Sequence, residues 1–265
     1  MPTRFDTELP HHLMGIWPHP DDEAYLSAGL MARMTDAGRR VTVLTLTRGE
    51  KGTSDPADFD QPHFAARRER ELRASLAELG VDDVRLLDYR DGECDVVDNE
   101  AAITHLTDQI DAVRPDMLIT FGPDGITGHR DHRIVSAWVT EAWRRAGHAE
   151  LLYATMTDDF VTRNADLHER IGLFTDRADE GPASYPTDQI ALTCDLSEHE
   201  LGRKRRALGH HASQTGPLAA LMGEDTYRSW WRSEWFRRPS HREASMCTVC
   251  PPLAGSSCFT GEVLV

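Results

Sequence analysis

Two short polar clusters, separated by about 110 positions, contain the residue types that bind metal ions and move protons. The first is His-Pro-Asp-Asp-Glu at 19–23, and the second is His-Arg-Asp-His at 129–132. A catalytic zinc is held by three protein ligands and keeps a fourth position for water. His19, Asp22 and His132 would make such a set. Together the clusters predict a metal site suited to hydrolysis.

The other acid-base residues of the two clusters have predicted roles that need no bond to the metal. Asp21, beside the first two ligands, is placed to act as general base on a water whose pKa the metal lowers from about 16 toward about 7. His129, one helical turn before His132, would as an imidazolium stabilise an oxyanion or protonate a leaving amine. Asp131 is expected to hold one of the imidazole rings in the required tautomer.

Each cluster taken alone also has a structural explanation. Residues 19–23 could be a turn that starts the following helix, with Asp22 as its N-cap. Residues 129–132 could be a polar helix start at which Asp131 favours the helix dipole. What favours the metal site is that both clusters follow predicted strands and complement each other.

Apolar runs that alternate with helical patterns predict how these clusters are positioned. In chain order we predict strand 13–17, helix 24–37, strand 41–46, helix 64–79, strand 84–87, helix 100–113, strand 117–121, a helix from near 130, and strand 151–154. Crossovers of this length join parallel strands. The pattern therefore predicts a three-layer Rossmann-like α/β fold with a mostly parallel sheet, whose ligands bind at the carboxyl ends of the strands. With strand order 3-2-1-4-5, both clusters would lie in one crevice.

Composition limits the domain organisation and the classes of partner. The 265 residues, 40% of them hydrophobic, suit one substantial core, so we predict a single domain over 1–240, with a lid or variable subdomain at 156–190 and a flexible tail at 241–265. The net charge of −15 would repel nucleic acid. No apolar run approaches the roughly 20 residues of a membrane span, and no signal peptide is evident. We predict a cytoplasmic protein, with its oligomeric state left open.

Cysteines and aromatic residues near the carboxyl terminus give weaker signals. Five cysteines argue against a disulfide framework. Three of them could join His241 in a structural zinc site, but their Pro- and Gly-rich surroundings favour a tail; they are Cys247, Cys250 and Cys258. A group of aromatic residues predicts a helix that packs on the domain, and secondly a face that stacks on sugars; its members are Tyr227, Trp230, Trp231, Trp235 and Phe236.

The polar clusters also resemble the motifs of a known family. Residues 19–23 and the later stretch 125–132 resemble those of the LmbE-like / PIG-L family of zinc-dependent de-N-acetylases. The resemblance extends from about residue 13 to about residue 238. Weaker matches support it at 47–52, 68–71, 79–81, 89–92 and 204–214.

The resemblance implies hydrolysis of an N-acyl group, usually acetyl, from an N-acetylglucosamine-type sugar. It implies that zinc is bound by His19, Asp22 and His132, that Asp21 is the base, and that His129 is its electrostatic partner. The donor set alone would suit Fe²⁺ or Co²⁺ nearly as well as Zn²⁺.

For the substrate, the resemblance implies that Arg68 and Asp91 contact sugar hydroxyls, although Arg68 could equally be a surface charge on its helix. Two positions depart from the family pattern. Arg130 stands where many members have Pro, and Thr127 stands where some carry a Tyr that assists in the active site. Two alternatives stay open: an amidase of a larger thiol- or antibiotic-type conjugate, and a non-catalytic sugar-binding protein.

Overall fold

The computed structural model describes residues 9–53, 55–177 and 180–245. Within these ranges no helix is both long and apolar enough to cross a membrane. The three cysteines predicted to lie in the tail fall outside the described residues, as does the rest of the tail after a short helix at 241–245. The single domain over 1–240 and the cytoplasmic location stay predictions.

A mostly parallel sheet forms the centre of the described residues. Its strands are β1 His12–Trp17, β2 Arg40–Thr47, β3 Asp83–Tyr89, β4 Met117–Phe121, β5 Glu150–Thr155, β6 Leu192–Asp195 and β7 Ser233–Arg237. They are arranged in the order β3-β2-β1-β4-β5-β7-β6. The first five strands pair in parallel, and β7 is antiparallel to both β5 and β6. The predicted α/β fold and the 3-2-1-4-5 order are therefore confirmed.

Helices cover both faces of this sheet. They are α1 Asp22–Asp36, α2 Pro62–Glu78, α3 Asn99–Val113, α4 Arg130–Ala146, α5 Asp158–Arg163, α6 Ala165–Ile171, α7 Glu198–His210, α8 Ala212–Met222, α9 Glu224–Trp230 and α10 His241–Ser245. Alternate residues of β1 point to opposite faces, with Leu13 and Trp17 in one hydrophobic cluster and Met14 and Ile16 in the other. Side chains of α1, α2 and α7 pack in the first cluster and those of α3 and α4 in the second, which gives three layers.

The prediction of one aromatic helix near the carboxyl terminus was wrong. Tyr227 and Trp230 lie in α9, but Trp235 and Phe236 lie in β7. Phe236 is buried in the core because β7 pairs with β5 and β6. That pairing is a tertiary contact, which no helical spacing in the local sequence could reveal.

A buried ion pair links α7 and β7 to the interior of α1. Lys204 Nζ lies 2.7 Å from Glu234 Oε1, and both side chains are almost completely buried. The two carboxylate oxygens of Glu234 accept hydrogen bonds from the backbone N–H groups of Gly29 and Leu30, at 2.8 and 2.9 Å. Lys204 also donates to the carbonyl oxygen of Tyr25, at 2.7 Å. The pair thus fixes one turn of α1 directly after the first polar cluster.

The segment predicted as a lid lies over the loop between β4 and α4. The described residues between 156 and 190 contain α5, α6 and two short 3-10 turns. Arg177 donates a hydrogen bond to the carbonyl oxygen of Asp124, and the Tyr185 hydroxyl donates to the Asp124 carboxylate, both at 3.0 Å. Met156 and Leu173 from this segment line the cavity described below.

Candidate metal centre and active site

The parallel pairing of β1 with β4 brings the two polar clusters together. Leu13 pairs with Met117 and Gly15 with Ile119, so the two strands end side by side. The chain leaves β1 and starts α1 at Asp22, and it leaves β4 and starts α4 at Arg130. Both helix starts therefore face one crevice at the carboxyl edge of the sheet, as the sequence predicts.

The donor atoms of the three predicted ligands lie close together, and each histidine faces a different oxygen of Asp22. His19 Nδ1 is 3.6 Å from Asp22 Oδ2, and His132 Nε2 is 3.5 Å from Asp22 Oδ1. The two histidine nitrogens are 3.3 Å apart. Ligand bonds of about 2.0–2.1 Å in a tetrahedral zinc site place the donor atoms roughly 3.3–3.4 Å from one another. The two histidine nitrogens match this spacing, and Asp22 offers one oxygen to each side of the pair. His129 also lies with His19 and His132 in a group whose ligand atoms are all within 4.8 Å of one another, so the histidines and Asp22 together fit a metal ion.

The hydrogen bonds of the two imidazoles explain why a cation is needed there. Nε2 of His19 lies 3.2 Å from an oxygen of Asp131, and Nδ1 of His132 lies 3.1 Å from the carbonyl oxygen of Gly125. Each of these nitrogens faces an acceptor and so carries a proton. The remaining nitrogens, His19 Nδ1 and His132 Nε2, face each other at 3.3 Å. If both carried lone pairs they would repel each other, and a proton or a metal ion between them removes this repulsion.

Burial disfavours the charged form of Asp22, and a bound cation would offset this effect. Burial raises the pKa of Asp22 well above its usual value and lowers that of His132 well below its usual value. Burial would also lower the pKa of His19, but its hydrogen bonds to Asp131 and Asp91 outweigh this effect and raise the pKa to about 10. A metal ion would stabilise the Asp22 carboxylate and replace the second proton of His19.

Asp21 lies beside this set in a strained backbone conformation. Its φ of 109° is in the left-handed half of conformational space, which typically costs a non-glycine residue about 1–3 kcal/mol. Its backbone N–H donates to Glu23 Oε2 at 3.0 Å, and the other oxygen of Glu23 is 2.9 Å from His211 Nε2. Both partners are buried, so they hold this conformation. His211 lies in the stretch 204–214 that matches the family weakly, but no local pattern indicates its contact with Glu23.

Electrostatically, the Asp21 carboxylate is suited to accept a proton. Burial raises its pKa, although the guanidinium of Arg68, 3.3 Å from Oδ2, opposes the shift. A carboxylate with a raised pKa is a stronger base than one in water. Asp21 lines the same cavity as the histidines and Asp22.

His129 is the N-cap of α4 and lies against both histidine ligands. Its ring centroid is 4.8 Å from that of His19 and 4.9 Å from that of His132. Its Nδ1 accepts a hydrogen bond from the backbone N–H of Asp131 at 3.2 Å, and so the proton is on Nε2. Burial and the charge of His19 lower its pKa. The imidazolium predicted from the sequence is therefore disfavoured, whereas a neutral ring that donates from Nε2 fits the structure.

Two carboxylates hold the outer nitrogen of His19. Besides the contact with Asp131, His19 Nε2 is 3.2 Å from Asp91 Oδ1. Asp131 also accepts from the backbone N–H of Gly92, and Asp91 from that of Lys51, both at 2.8 Å. The charge and hydrogen bond of His19 keep the pKa of Asp91 well below its usual value despite burial. Asp131 is placed as the sequence predicts, whereas the contact of Asp91 with His19 was not predicted.

Arg68 is buried, and the alternative that it is a surface helix charge is wrong. Its guanidinium donates to the carbonyl oxygens of Gly49, at 2.8 Å, and of Pro20. A Cβ atom on Gly49 would lie 1.9 Å from Arg68 Nη1, so only glycine leaves room for this arrangement. Arg68 and Asp91 both line the cavity, and their contacts with sugar hydroxyls stay predictions.

These groups open into a cavity of about 410 Å³, a size typical of small-molecule sites. Its polar end contains the histidines and carboxylates described above. Much of the remaining lining is apolar, and it includes Tyr25, Leu26, Phe121, Ile126, Met156, Leu173, Leu218, Trp230 and Trp231. The sugar-stacking alternative for the aromatic group is thus limited to Trp230 and Trp231, because Tyr227, Trp235 and Phe236 are absent from the lining.

Replacing Asp131 by Asn should weaken metal binding by about 10- to 100-fold. The change keeps the size of the side chain but removes the negative charge that orients His19 and increases its basicity. The affinity can be measured by competition with a chromophoric chelator. Asp95→Asn is a matched control, because Asp95 pairs with Arg130 at the start of the same helix without contacting His19. Equal affinities in all three proteins would contradict the role of Asp131.

Comparisons with known proteins agree with this geometry. Residues 14–143 match the family model described as GlcNAc-PI de-N-acetylase, PIG-L. A deacetylase of 1D-myo-inositol 2-acetamido-2-deoxy-alpha-D-glucopyranoside from Actinosynnema mirum is 32% identical over 77% of this chain and 81% of the relative.

Among solved structures, the N,N'-diacetylchitobiose deacetylase of Pyrococcus horikoshii superposes with a TM-score of 0.58 at 23% identity, over 86% of this chain and 83% of that one. The zinc-inhibited form of a teicoplanin deacetylase gives 0.60 at 15% identity, over 87% and 99%. At these identities the two structures support the fold. The sequence relative and the family model lead to one conclusion: the chain belongs to the GlcNAc-PI de-N-acetylase (PIG-L) family.

Proposed function

We propose that this protein is a metal-dependent hydrolase that removes the N-acetyl group from an N-acetylglucosamine-type amino sugar or its conjugate, and that its metal is zinc. The observation that carries the proposal is that two histidine nitrogens lie 3.3 Å apart, each within 3.6 Å of an oxygen of Asp22, with the Asp21 carboxylate in the same cavity. His19, Asp22 and His132 would hold the ion. When bound, the ion would polarise the acyl carbonyl and lower the pKa of a water molecule.

The residues around the ion would handle the protons of the reaction. Asp21 takes a proton from the water as its oxygen bonds to the acyl carbon. His129 donates a hydrogen bond from Nε2 to the carbonyl oxygen, which becomes an oxyanion. The C–N bond then breaks as Asp21 returns its proton to the leaving nitrogen, and the products are acetate and a free amine. Asp131 keeps its partner His19 in the tautomer that leaves Nδ1 free.

The amino-sugar substrate is supported by the relatives. The Actinosynnema mirum protein is named for an acetamido sugar linked to inositol, and the Pyrococcus horikoshii enzyme for diacetylchitobiose. Arg68 and Asp91 are the proposed contacts for sugar hydroxyls, since both are charged and line the cavity. A purely sugar-binding role is less well supported, because it gives no reason to maintain Asp21 in a strained conformation.

The test is a panel of N-acetylated amino sugars with the protein reconstituted in turn with Zn²⁺, Fe²⁺ and Co²⁺. We expect release of acetate and of a free amine, loss of activity after chelation, and recovery when the metal is restored. Because one structural relative is described as zinc-inhibited, each metal is titrated from below one equivalent per chain. Stoichiometric metal binding without hydrolysis of any amide in the panel would contradict the proposal.

A further inference from the structure

We infer that the substrate carries an apolar group next to the amino sugar, and that the apolar side of the cavity binds it. This inference rests on the proposed function and narrows its substrate class. The group could belong to the aglycone or to the acyl chain. Either source presents the same chemistry to the protein, and the experiment below separates them.

The apolar wall of the cavity is built from side chains of four separate parts of the chain. Tyr25 and Leu26 come from α1, Leu218 from α8, Trp231 from the end of α9, and Met156 and Leu173 from the lid segment. The Leu and Met side chains contribute no strong hydrogen-bonding group. A polyol such as inositol would lose hydration against these Leu and Met side chains without gaining partners from them, whereas an alkyl or aryl group would be favoured.

Trp231 is held rigidly within this wall. Its ring centroid is 4.8 Å from that of Tyr25 and 4.2 Å from that of Trp230. Lys204 Nζ lies 5.4 Å from the ring centroid and is itself fixed by its ion pair with Glu234. Trp231 and Tyr25 are only half-buried, so part of their surface is available to a ligand. A preorganised aromatic surface binds an apolar group with little loss of side-chain entropy.

The polar and apolar side chains line one cavity. The apolar group must therefore be attached to the substrate close to the amide that is hydrolysed. An amide carbonyl at the metal site places the acyl chain and the sugar ring within the same 410 Å³. Each buried methylene strengthens binding by about fourfold, so burial of two of them gives roughly 15-fold.

The experiment compares matched substrates with the metal-loaded protein. One arm pairs the hexyl with the methyl glycoside of N-acetylglucosamine, and the other pairs the N-hexanoyl with the N-acetyl form of the methyl glycoside. We expect kcat/KM to rise at least about tenfold in one arm, and that arm identifies the source of the apolar group. If neither arm rises while the short substrate is hydrolysed, the inference is wrong and the proposed function stands.

A pair of variants on one helix tests the wall itself. Leu218→Asn should reduce the hexyl-to-methyl, or hexanoyl-to-acetyl, ratio of kcat/KM by about tenfold. Leu221→Asn, three residues further along α8, is the matched control, because Leu221 is 53% exposed and lies outside the cavity lining. Equal ratios in both variants and the unmodified protein would overturn the inference.

Calorimetric titration keeps the inference testable if no substrate is hydrolysed. The ligands are hexyl and methyl glucosaminide and N-hexanoyl and N-acetyl methyl glucosaminide, each measured on the metal-loaded protein. At least about tenfold tighter binding of one hexyl or hexanoyl form supports the apolar wall even if the proposed reaction is wrong. Equal affinities within both pairs would overturn the inference.

Discussion

Asp21→Asn should lower kcat for amide hydrolysis by about 10²- to 10⁴-fold while the protein keeps its metal. Asn has nearly the same shape and also tolerates a positive φ, so the backbone at this position is retained. It cannot accept the proton of the attacking water, which is the role that the raised pKa of Asp21 supports. Metal content by mass spectrometry and kcat from acetate release measure the two effects separately.

Asp22→Asn is the matched control for this prediction, because the same chemical change falls on the adjacent residue. Asp22 approaches both histidine ligands, at 3.6 and 3.5 Å, so loss of its charge should release the metal together with the activity. The two variants would then differ in metal content although both are inactive. If Asp21→Asn lost the metal, or retained full activity, the division of roles within the first cluster would be wrong.

Lys204→Met should destabilise the protein by about 3–5 kcal/mol. The variant leaves the carboxylate of Glu234 buried with only the backbone N–H groups of Gly29 and Leu30 as partners. It also removes the donor to the carbonyl oxygen of Tyr25. Urea unfolding of the metal-free protein gives the change in free energy without a contribution from metal binding.

Two further variants show whether this loss comes from the unpaired charge. Adding Glu234→Leu to Lys204→Met should recover part of the stability, because the buried carboxylate is then absent. Arg206→Met removes the surface ion pair with Glu78 and should cost no more than about 1 kcal/mol. A loss this small for Lys204→Met would mean that the buried pair contributes little to the stability of the fold.

The parallel part of the sheet could be predicted because its signals are local. Strands such as β2 and β4 are buried on both faces, so they appear as continuous apolar runs between helical patterns. The short strands β6 and β7 were missed. Trp235 and Phe236 follow Trp230 at a spacing that resembles a helix, and only the pairing of β7 with β5 makes them part of a strand.

For the site, the sequence predicted residue types and their convergence, but not the contacts made across the fold. His19, Asp22 and His132 converge because parallel strands end at the same edge, which is a rule of topology. The burial of Arg68 depends on how α2 packs over the loop after β2, and the contact between Asp91 and His19 depends on the loop after β3. Neither packing has a signal in the local sequence.

The pairing of β1 with β4 also sets when the chain can acquire its metal. During synthesis, the first two ligand residues emerge about 110 residues before His132, and they have no third partner until β4 has docked against β1. Metal binding therefore cannot nucleate the early βα units. It follows assembly of the sheet and then stabilises the folded state by mass action, so that unfolding must first release the ion.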